Sequence, residues 1–251
     1  FANSFGKVSG LKVDNIDEQH AAFVGMHQGV VTGKAGVIAV VAGDGLVELF
    51  RGLGASAIVS GGQTMNPSAE QIARIARELP WENIFILPNS KNVVLAAQQA
   101  AELAIGKTIH VVPTADAAAG IAVMMAFNYE MELEANAQAM EQVLRSVKTG
   151  EVTVAVRDAV LDDMIIKKGQ AIGLSSGKLT IAEAEVPTAL EKLAALIVGE
   201  DDSVLTVYYG ANISQAEANQ ALTKLKVRFP MAEVQVYNGG QDHYHYLLSV
   251  E

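Results

Sequence analysis

Polar side chains come directly after apolar runs in the middle of this chain. They are, in order, Asp44, Gln63, Thr64, Asn66, Asn89, Lys91, Asn92 and Thr114. If the apolar runs are parallel strands, these side chains lie at the carboxyl ends of the strands, where open sheets bind their ligands. The N–H groups at the start of the helices that follow could hold a carboxylate or a phosphate. The same residue types also cap helices and form turns, so a purely structural role stays open.

The glycine-rich loops do not complete a known phosphate-binding motif. Gly43-Asp44-Gly45 and Gly61-Gly62 follow apolar runs, but neither extends to GxGxxG or to GxxxxGK[ST]. The loops also lack a recognisable cluster of catalytic groups. We therefore predict no catalytic residue and no cofactor in this chain.

Two other groups of residues invite a chemical interpretation. His243 and His245 are two residues apart on an expected strand, so they would share one face, with Asp242 beside them. A metal site needs a third placed ligand, so we favour a surface or packing role and predict no bound metal. Arg157, next to Asp158 at an expected strand end, could contact an anion or form a local ion pair.

The elements that must position the polar loops follow from the apolar patterning. Continuous apolar runs are typical of strands buried on both faces of a parallel sheet. Residues between them have apolar positions at helical spacing, and Ser68 is a suitable N-cap. Alternating strands and helices predict an α/β fold with a mostly parallel sheet flanked by helices. The predicted strands are Gly36–Ala42, Ala55–Ser60, Asn83–Leu87 and Thr108–Val112.

Residues 151–251 show a different pattern. Residues 151–157 alternate apolar and polar side chains, as in a sheet with one solvent-facing side. Ser175-Ser176-Gly177 predicts a tight hairpin turn, and Ser214 with Glu217 fits a capping box. We predict a second, α+β subdomain with a mixed sheet over residues 151–251, after a parallel α/β subdomain over 36–150 and a linker segment over 1–35.

Composition excludes several classes of protein. Half of the 251 residues are apolar and 18% are charged, which excludes a disordered chain. The net charge of −10 argues against binding to nucleic acid or to an anionic membrane surface. The sequence has no run long enough for a membrane span and no cysteine, so a cytoplasmic setting is expected. It begins with Phe1 rather than Met, and we expect a piece of a longer protein.

Several motifs, in order, resemble the carboxy-terminal region of the A-type component of fatty acid kinase, a dihydroxyacetone-kinase-like family. The resemblance covers residues 36–251, and residues 1–20 look like the tail of that family's middle domain. The motifs are Ala42-Gly43-Asp44-Gly45-Leu46, Gly61-Gly62-Gln63-Thr64-Met65-Asn66-Pro67, Leu87-Pro88-Asn89-Ser90-Lys91-Asn92, Val112-Pro113-Thr114, Ala155-Val156-Arg157-Asp158 and Tyr237-Asn238-Gly239-Gly240-Gln241.

The resemblance implies a fold similar to DegV and a role in bacterial phospholipid synthesis. In that family an amino-terminal domain binds ATP and magnesium, and the carboxy-terminal region is thought to engage the DegV-like subunit that presents the fatty acid. This chain departs from the family after Gln241, where Asp242-His243-Tyr244-His245 replaces a proline and an aromatic residue. It departs again after Thr114, where alanines replace polar residues.

Three hypotheses remain open from the sequence. The first is a non-catalytic module that docks the fatty-acid-binding subunit, with ATP and magnesium held by a kinase domain outside this chain. The second is a regulatory domain that binds a small carboxylate or phosphate. The third is an enzyme in its own right, either a dihydroxyacetone-kinase-like protein or a phosphatase. A homodimer is possible in each case.

Overall fold

The apolar runs form a four-stranded parallel sheet in the computed structural model, which describes residues 33–61, 66–161 and 164–251. The order in this first sheet is β2-β1-β3-β4, and every pairing is parallel, as predicted. β1 is buried along its whole length, which explains why its sequence is apolar without interruption. The strands are β1 (Ala35–Val41), β2 (Ala57–Ser60), β3 (Asn83–Leu87) and β4 (Thr108–Val111).

Five helices accompany the first sheet. They are α1 (Asp44–Gly52), α2 (Ala69–Glu78), α3 (Lys91–Leu103), α4 (Ala117–Met125) and α5 (Leu133–Ser146). Ser68 caps α2 as predicted, by accepting a hydrogen bond from the N–H of Gln71. Helix α4 is buried on nearly all sides because it also contacts β5 and β12 of a second sheet. Its sequence is apolar all round for that reason.

The second sheet has six strands and mixed directions, which confirms the predicted α/β class with a mixed second part. Its order is β11-β10-β12-β5-β8-β9, and only β10 and β11 pair in parallel. Helices α6 (Val186–Ile197) and α7 (Gln215–Arg228) pack on it. The strands are β5 (Lys148–Val154), β8 (Ala171–Ser175), β9 (Lys178–Glu183), β10 (Val204–Tyr209), β11 (Glu233–Asn238) and β12 (Tyr246–Val250).

The hairpin turn and the helix cap predicted in this second part are both present. Ser176 and Gly177 form the two-residue turn between β8 and β9, both with positive φ (50° and 73°), as such hairpins require. Ser214 and Glu217 form the predicted capping box at α7. A separate hairpin of β6 (Ala159–Leu161) and β7 (Met164–Ile166) stands outside both sheets.

Several boundaries differ from the prediction, among them those of β1, β2 and β4 by one or two residues. Strand β5 begins at Lys148, before the alternation from residue 151 onward, because it also pairs with β12 at those positions. Strand β12 begins at Tyr246, so His243 and His245 lie in the preceding loop, and the prediction that they share a strand face is wrong.

The prediction for residues 1–32 lies outside the described residues. Residues 33–251 form one compact unit, and the division at residue 150 stays a prediction.

Candidate functional site: a cavity between the two sheets

A cavity of about 140 Å³ lies where the carboxyl ends of the first sheet meet the second sheet. Val40 and Val41 at the end of β1 and Leu247 of β12 form an apolar part of its wall. The loop before α3 and the start of α4 bring polar groups to it. The polar residues of the wall include Asn89, Ser90, Asp116, Glu151 and Gln241.

Two residues predicted from the sequence, Asn89 and Thr114, meet beside this cavity. Thr114 is fully buried, and its hydroxyl donates to Asn89 Oδ1 at 2.8 Å while accepting from the Asn89 N–H at 3.0 Å. Asn89 has a φ of 51°, a left-handed conformation that asparagine tolerates better than most residues. A Cβ at Gly120 would lie 2.0 Å from Asn89 Oδ1, so only glycine fits there. Thr114 therefore acts on the cavity by holding Asn89 in its wall.

Two buried carboxyl groups face the cavity, and sequence reasoning did not place either in a site. Asp116 caps α4: its Oδ1 accepts from the Ala119 N–H at 2.8 Å, and its Oδ2 accepts from the Thr149 hydroxyl at 2.7 Å. Burial raises the pKa of Asp116 above its ordinary range, against the lowering effect of these hydrogen bonds.

Glu151, in the middle of β5, is the second buried carboxyl group. Burial, reinforced by the negative charge of Asp116, raises its pKa to about 7, although a hydrogen bond with Tyr244 acts in the opposite direction. Asp116 was visible in the sequence only as a residue before a helix, and Glu151 as one position of an alternating strand. Neither signal distinguishes a carboxyl group in a cavity from one in solvent.

Lys91 is a cation beside the cavity, but its Nζ donates to neither carboxyl group. It lines an adjoining cavity together with Asn92, and that cavity shares Asp116 and Glu151 with the first. The Lys91 Nζ donates to the carbonyl of Ser176 at 3.2 Å, on the turn between β8 and β9. Its positive charge lowers the pKa of both carboxyl groups from a distance.

The glycines beside Asp44 serve a different purpose, which is to allow close contact between the loops that follow β1 and β11. The N–H of Leu46 donates to the carbonyl of Gly239 at 2.9 Å. A Cβ at Gly45 would lie 2.0 Å from the carbonyl oxygen of Asn238, so the two loops are in direct backbone contact. The Gly-Asp-Gly and Asn-Gly-Gly motifs are thus explained by packing between α1 and the end of β11.

The remaining predicted residues are not brought to the cavity. Asp44 lies exposed in the first turn of α1, and Asn66 and Arg157 are exposed and absent from the cavity wall. Gln63 and Thr64 lie outside the described residues. A ligand-binding role for any of these residues stays a prediction.

One segment of the second sheet has the sequence of a nucleophile motif but not its structure. Residues 173–177 read Gly-Leu-Ser-Ser-Gly and fit the letters of the GxSxG motif. In an α/β-hydrolase this motif lies on a strand-to-helix turn. Here Ser175 ends β8 and is paired with Lys178 across a hairpin, so its surroundings are not those of a nucleophile.

Gln241 completes the polar wall. It is 6% exposed, and its Nε2 donates to the carbonyl of Tyr208 at 3.0 Å, which fixes the orientation of the amide. Its Oε1 accepts no hydrogen bond in the described part of the chain, and Asn89 Nδ2 likewise donates none. His243, exposed at the rim, accepts a hydrogen bond from the Thr153 hydroxyl through its carbonyl at 2.6 Å.

The electrostatics of this cavity oppose an anion. Two buried carboxyl groups repel a free carboxylate or phosphate once they are ionised, as Glu151 is above about pH 7, and the N–H of Ala119 at the start of α4 is already bonded to Asp116. Within residues 33–61, 66–161 and 164–251, no three His, Asp or Glu side chains are grouped to hold a metal ion. No helix in these ranges is long and apolar enough to cross a membrane.

The fold is that of DegV proteins. A DegV family protein of Thermus thermophilus, described by its fatty acid binding, superposes with a TM-score of 0.59 at 16% identity, covering 86% of this chain and 99% of that one. DegV of Bacillus subtilis, a fatty acid binding protein, gives 0.57 at 11% identity, with 88% and 100% covered. The fatty acid kinase B3 protein of Streptococcus pneumoniae, loaded with linoleic acid, gives 0.54 at 14% identity, with 73% and 75% covered.

Residues 36–251 match the FakA-like C-terminal family, which describes the C-terminal domain of proteins similar to the A-type component of fatty acid kinase, and the chain belongs to that family. The protein YloV of Bacillus subtilis is 34% identical over 258 residues, which cover the whole of this chain and 46% of YloV. A protein of Staphylococcus aureus strain USA300 is 33% identical over 256 residues, again the whole chain and 46% of the relative. The chain thus spans about half the length of the curated relatives it matches.

Proposed function

We propose that this chain is a non-catalytic docking module of a bacterial fatty acid kinase. It binds the DegV-like subunit that carries the fatty acid, so that an ATP- and magnesium-binding domain outside this chain can phosphorylate the acyl carboxylate. The family match over residues 36–251 is the observation that carries the proposal. The proposal retains the cytoplasmic setting expected from the composition and the role in phospholipid synthesis that the family resemblance implies.

The chemistry of the cavity supports docking rather than direct binding of the fatty acid. The solved relatives of similar fold include proteins described as fatty acid binding. In this chain the buried carboxyl groups of Asp116 and Glu151 stand in the cavity wall, where they repel a fatty acid carboxylate once they are ionised, as Glu151 is above about pH 7. The fatty acid is therefore expected to stay on the partner.

The β6–β7 hairpin offers a surface for that partner. Val160 and Ile165 form a cross-strand pair and are 73% and 69% exposed, while the next residue, Ile166, is buried on the inner face. The inner face packs on Ala155 and Leu179. An isolated hairpin whose outer face is also apolar is typical of a surface that another protein covers.

The test is direct binding between this chain and the cognate fatty-acid-binding subunit, measured by isothermal titration calorimetry and by sedimentation. We expect a one-to-one complex. Exchanging Val160 and Ile165 together for serine should weaken it by about tenfold, since two interface anchors contribute about 1 kcal/mol or more. The matched control is Ile105→Ser, which alters a side chain that is 87% exposed at the end of α3.

The outcomes separate the two parts of the proposal. Absence of any complex at high micromolar concentration would refute the docking role, as would ATP turnover by this chain alone. A complex that the hairpin variant leaves intact would keep the docking role and refute the hairpin as its surface. The same sedimentation runs on the chain alone show whether it forms a homodimer.

A further inference from the structure

Lys91, the first residue of α3, connects a helix of the first sheet to a turn of the second. Its Nζ donates to the carbonyl of Ser176 at 3.2 Å, in the turn between β8 and β9. A Cβ at Gly177 would lie 2.2 Å from the Lys91 Nζ and 2.9 Å from its Cε, so the side chain lies directly over this glycine. One exposed side chain thus holds the turn against the start of α3.

The same side chain also lines the adjoining cavity, which has a volume of about 260 Å³ and has Glu151 in its wall. Lys91 is the only lysine or arginine among the described residues that line either cavity. Its positive charge favours the ionised form of Glu151, although its Nζ donates to Ser176. Lysine has a flexible four-carbon stem, so the ammonium group can exchange one oxygen acceptor for another without movement of the backbone.

The surroundings of Glu151 leave Lys91 as its counter-charge. Beside Glu151 on the neighbouring strands are Leu174 of β8 and Leu247 of β12, and helix α6 packs on the other face of β5, against Gly150. The other titratable groups that line the two cavities with Glu151 are Asp116, Asp242, His243 and Tyr244. Both oxygens of Asp116 already accept hydrogen bonds, so this residue offers no donor.

We propose that Lys91 is a two-position switch that responds to the charge of Glu151. While Glu151 is neutral, the ammonium group stays on the Ser176 carbonyl and holds the β8–β9 turn. When Glu151 is ionised, the ammonium group turns into the adjoining cavity and donates to the carboxylate, and the turn is released. A charged acceptor forms the stronger hydrogen bond, and a buried carboxylate without a counter-charge is costly.

The switch operates near neutral pH and reaches a second surface of the molecule. Burial, reinforced by the charge of Asp116, raises the pKa of Glu151 to about 7. Strand β9 leaves the turn, and its Leu179 shares an apolar cluster with Ile166 of the β6–β7 hairpin. Release of the turn therefore affects the base of that hairpin. The switch itself does not depend on the docking role, because it concerns contacts within this chain.

The position of the Lys91 side chain can be followed directly by nuclear magnetic resonance. The nuclear Overhauser effect between the Lys91 Hε and Gly177 Hα protons should be present at pH 5.5. It should weaken about fivefold by pH 8.5, because the ionised acceptor forms the stronger hydrogen bond. New contacts from the Lys91 Hε protons to Leu174, in the wall of the adjoining cavity, should replace it. The midpoint should lie at about pH 7, where Glu151 titrates.

Two variants assign the response to the two partners. Glu151→Gln should keep Lys91 on Gly177 at both pH values, since glutamine carries no charge. Lys91→Met should remove most of the pH response of the Ser176 and Gly177 amide signals, and it keeps the test decisive if Glu151→Gln fails to fold. Two controls should leave the response as it is in the natural chain. Lys178→Met removes another exposed lysine beside the same turn, and His243→Gln removes a titratable group of the cavity rim.

Three results would overturn the inference. One is a contact between Lys91 and Gly177 that is as strong at pH 8.5 as at pH 5.5. Another is a pH response that Glu151→Gln retains or that His243→Gln abolishes, which would assign the titration to a different group. The third is a response of the turn amides that Lys91→Met leaves unchanged, which would show that the turn senses Glu151 without the lysine.

Discussion

Glu151 makes the stability of this fold depend on pH, and replacing it with glutamine should remove that dependence. The carboxyl group lies in β5 against the cavity, and its pKa is raised from its ordinary value of 4.5 to about 7, chiefly by burial. A raised pKa in the folded state means that folding favours the protonated form. Glutamine has almost the same shape and retains an oxygen that can accept from Tyr244, but it carries no charge.

The sign and size of the effect follow from proton binding. Between pH 4.5 and pH 7 the folded chain holds a proton on Glu151 that the unfolded chain has lost, so stability falls as the pH rises. At about 1.4 kcal/mol for each pKa unit, the folded state of the natural chain should lose about 2 to 3 kcal/mol between pH 5 and pH 8 through this group. Glu151→Gln should lose none of this, and should be the more stable protein at pH 8.

The assay is urea unfolding of both proteins at half-unit steps from pH 5 to pH 8, followed by circular dichroism. Asp116, whose pKa burial also raises, titrates in both proteins, so the difference between the two curves reports Glu151 together with its coupling to Asp116. Glu48→Gln controls for the loss of a surface charge. Parallel curves for the natural chain and Glu151→Gln would show that Glu151 is ionised in the folded state at ordinary pH, and the reasoning about its burial would be wrong.

The remaining predictions concern the groups that hold the loops in place. Thr114→Val should lower the free energy of unfolding by about 1 to 3 kcal/mol, because it leaves buried groups of Asn89 without a partner, whereas Thr114→Ser should be nearly neutral; urea unfolding would contradict this if both variants behave alike. Gly45→Ala should cost about 3 kcal/mol through its clash with the Asn238 carbonyl, while Gly52→Ala, with open space around it, should gain up to about 1 kcal/mol. Equal melting temperatures for these two alanine variants would refute the close contact.

The polar and glycine-rich loops at the strand ends have different structural roles in this fold. The Gly-Asp-Gly loop after β1 and the Asn-Gly-Gly loop after β11 are in backbone contact, so their glycines serve packing between the sheets. The Pro-Asn-Ser loop before α3 forms part of the cavity wall and is held there by Thr114. Polar loops at strand ends therefore do not all belong to one ligand site.

The architecture could be predicted from the sequence because its causes are local. A run such as residues 84–87 is apolar without interruption only if both faces of its strand are covered, and the structure has β3 over Asn83–Leu87. The capping box of Ser214 and Glu217 and the hairpin turn at Ser176 depend on residues within a few positions of one another. Burial, periodicity and turn chemistry of this kind are visible in a single segment.

The cavity depends instead on residues that are far apart in the chain. Asp116 and Glu151 belong to a helix start and to a strand of the other sheet, and only the packing of α4 between the two sheets buries them side by side. The desolvation that raises their pKa arises from that packing, and no property of either segment foretells it. The sequence by itself determined the strands, helices and family of this protein. The tertiary structure decided that the rim beside Asn89 is acidic, because long-range packing sets which side chains lose their water.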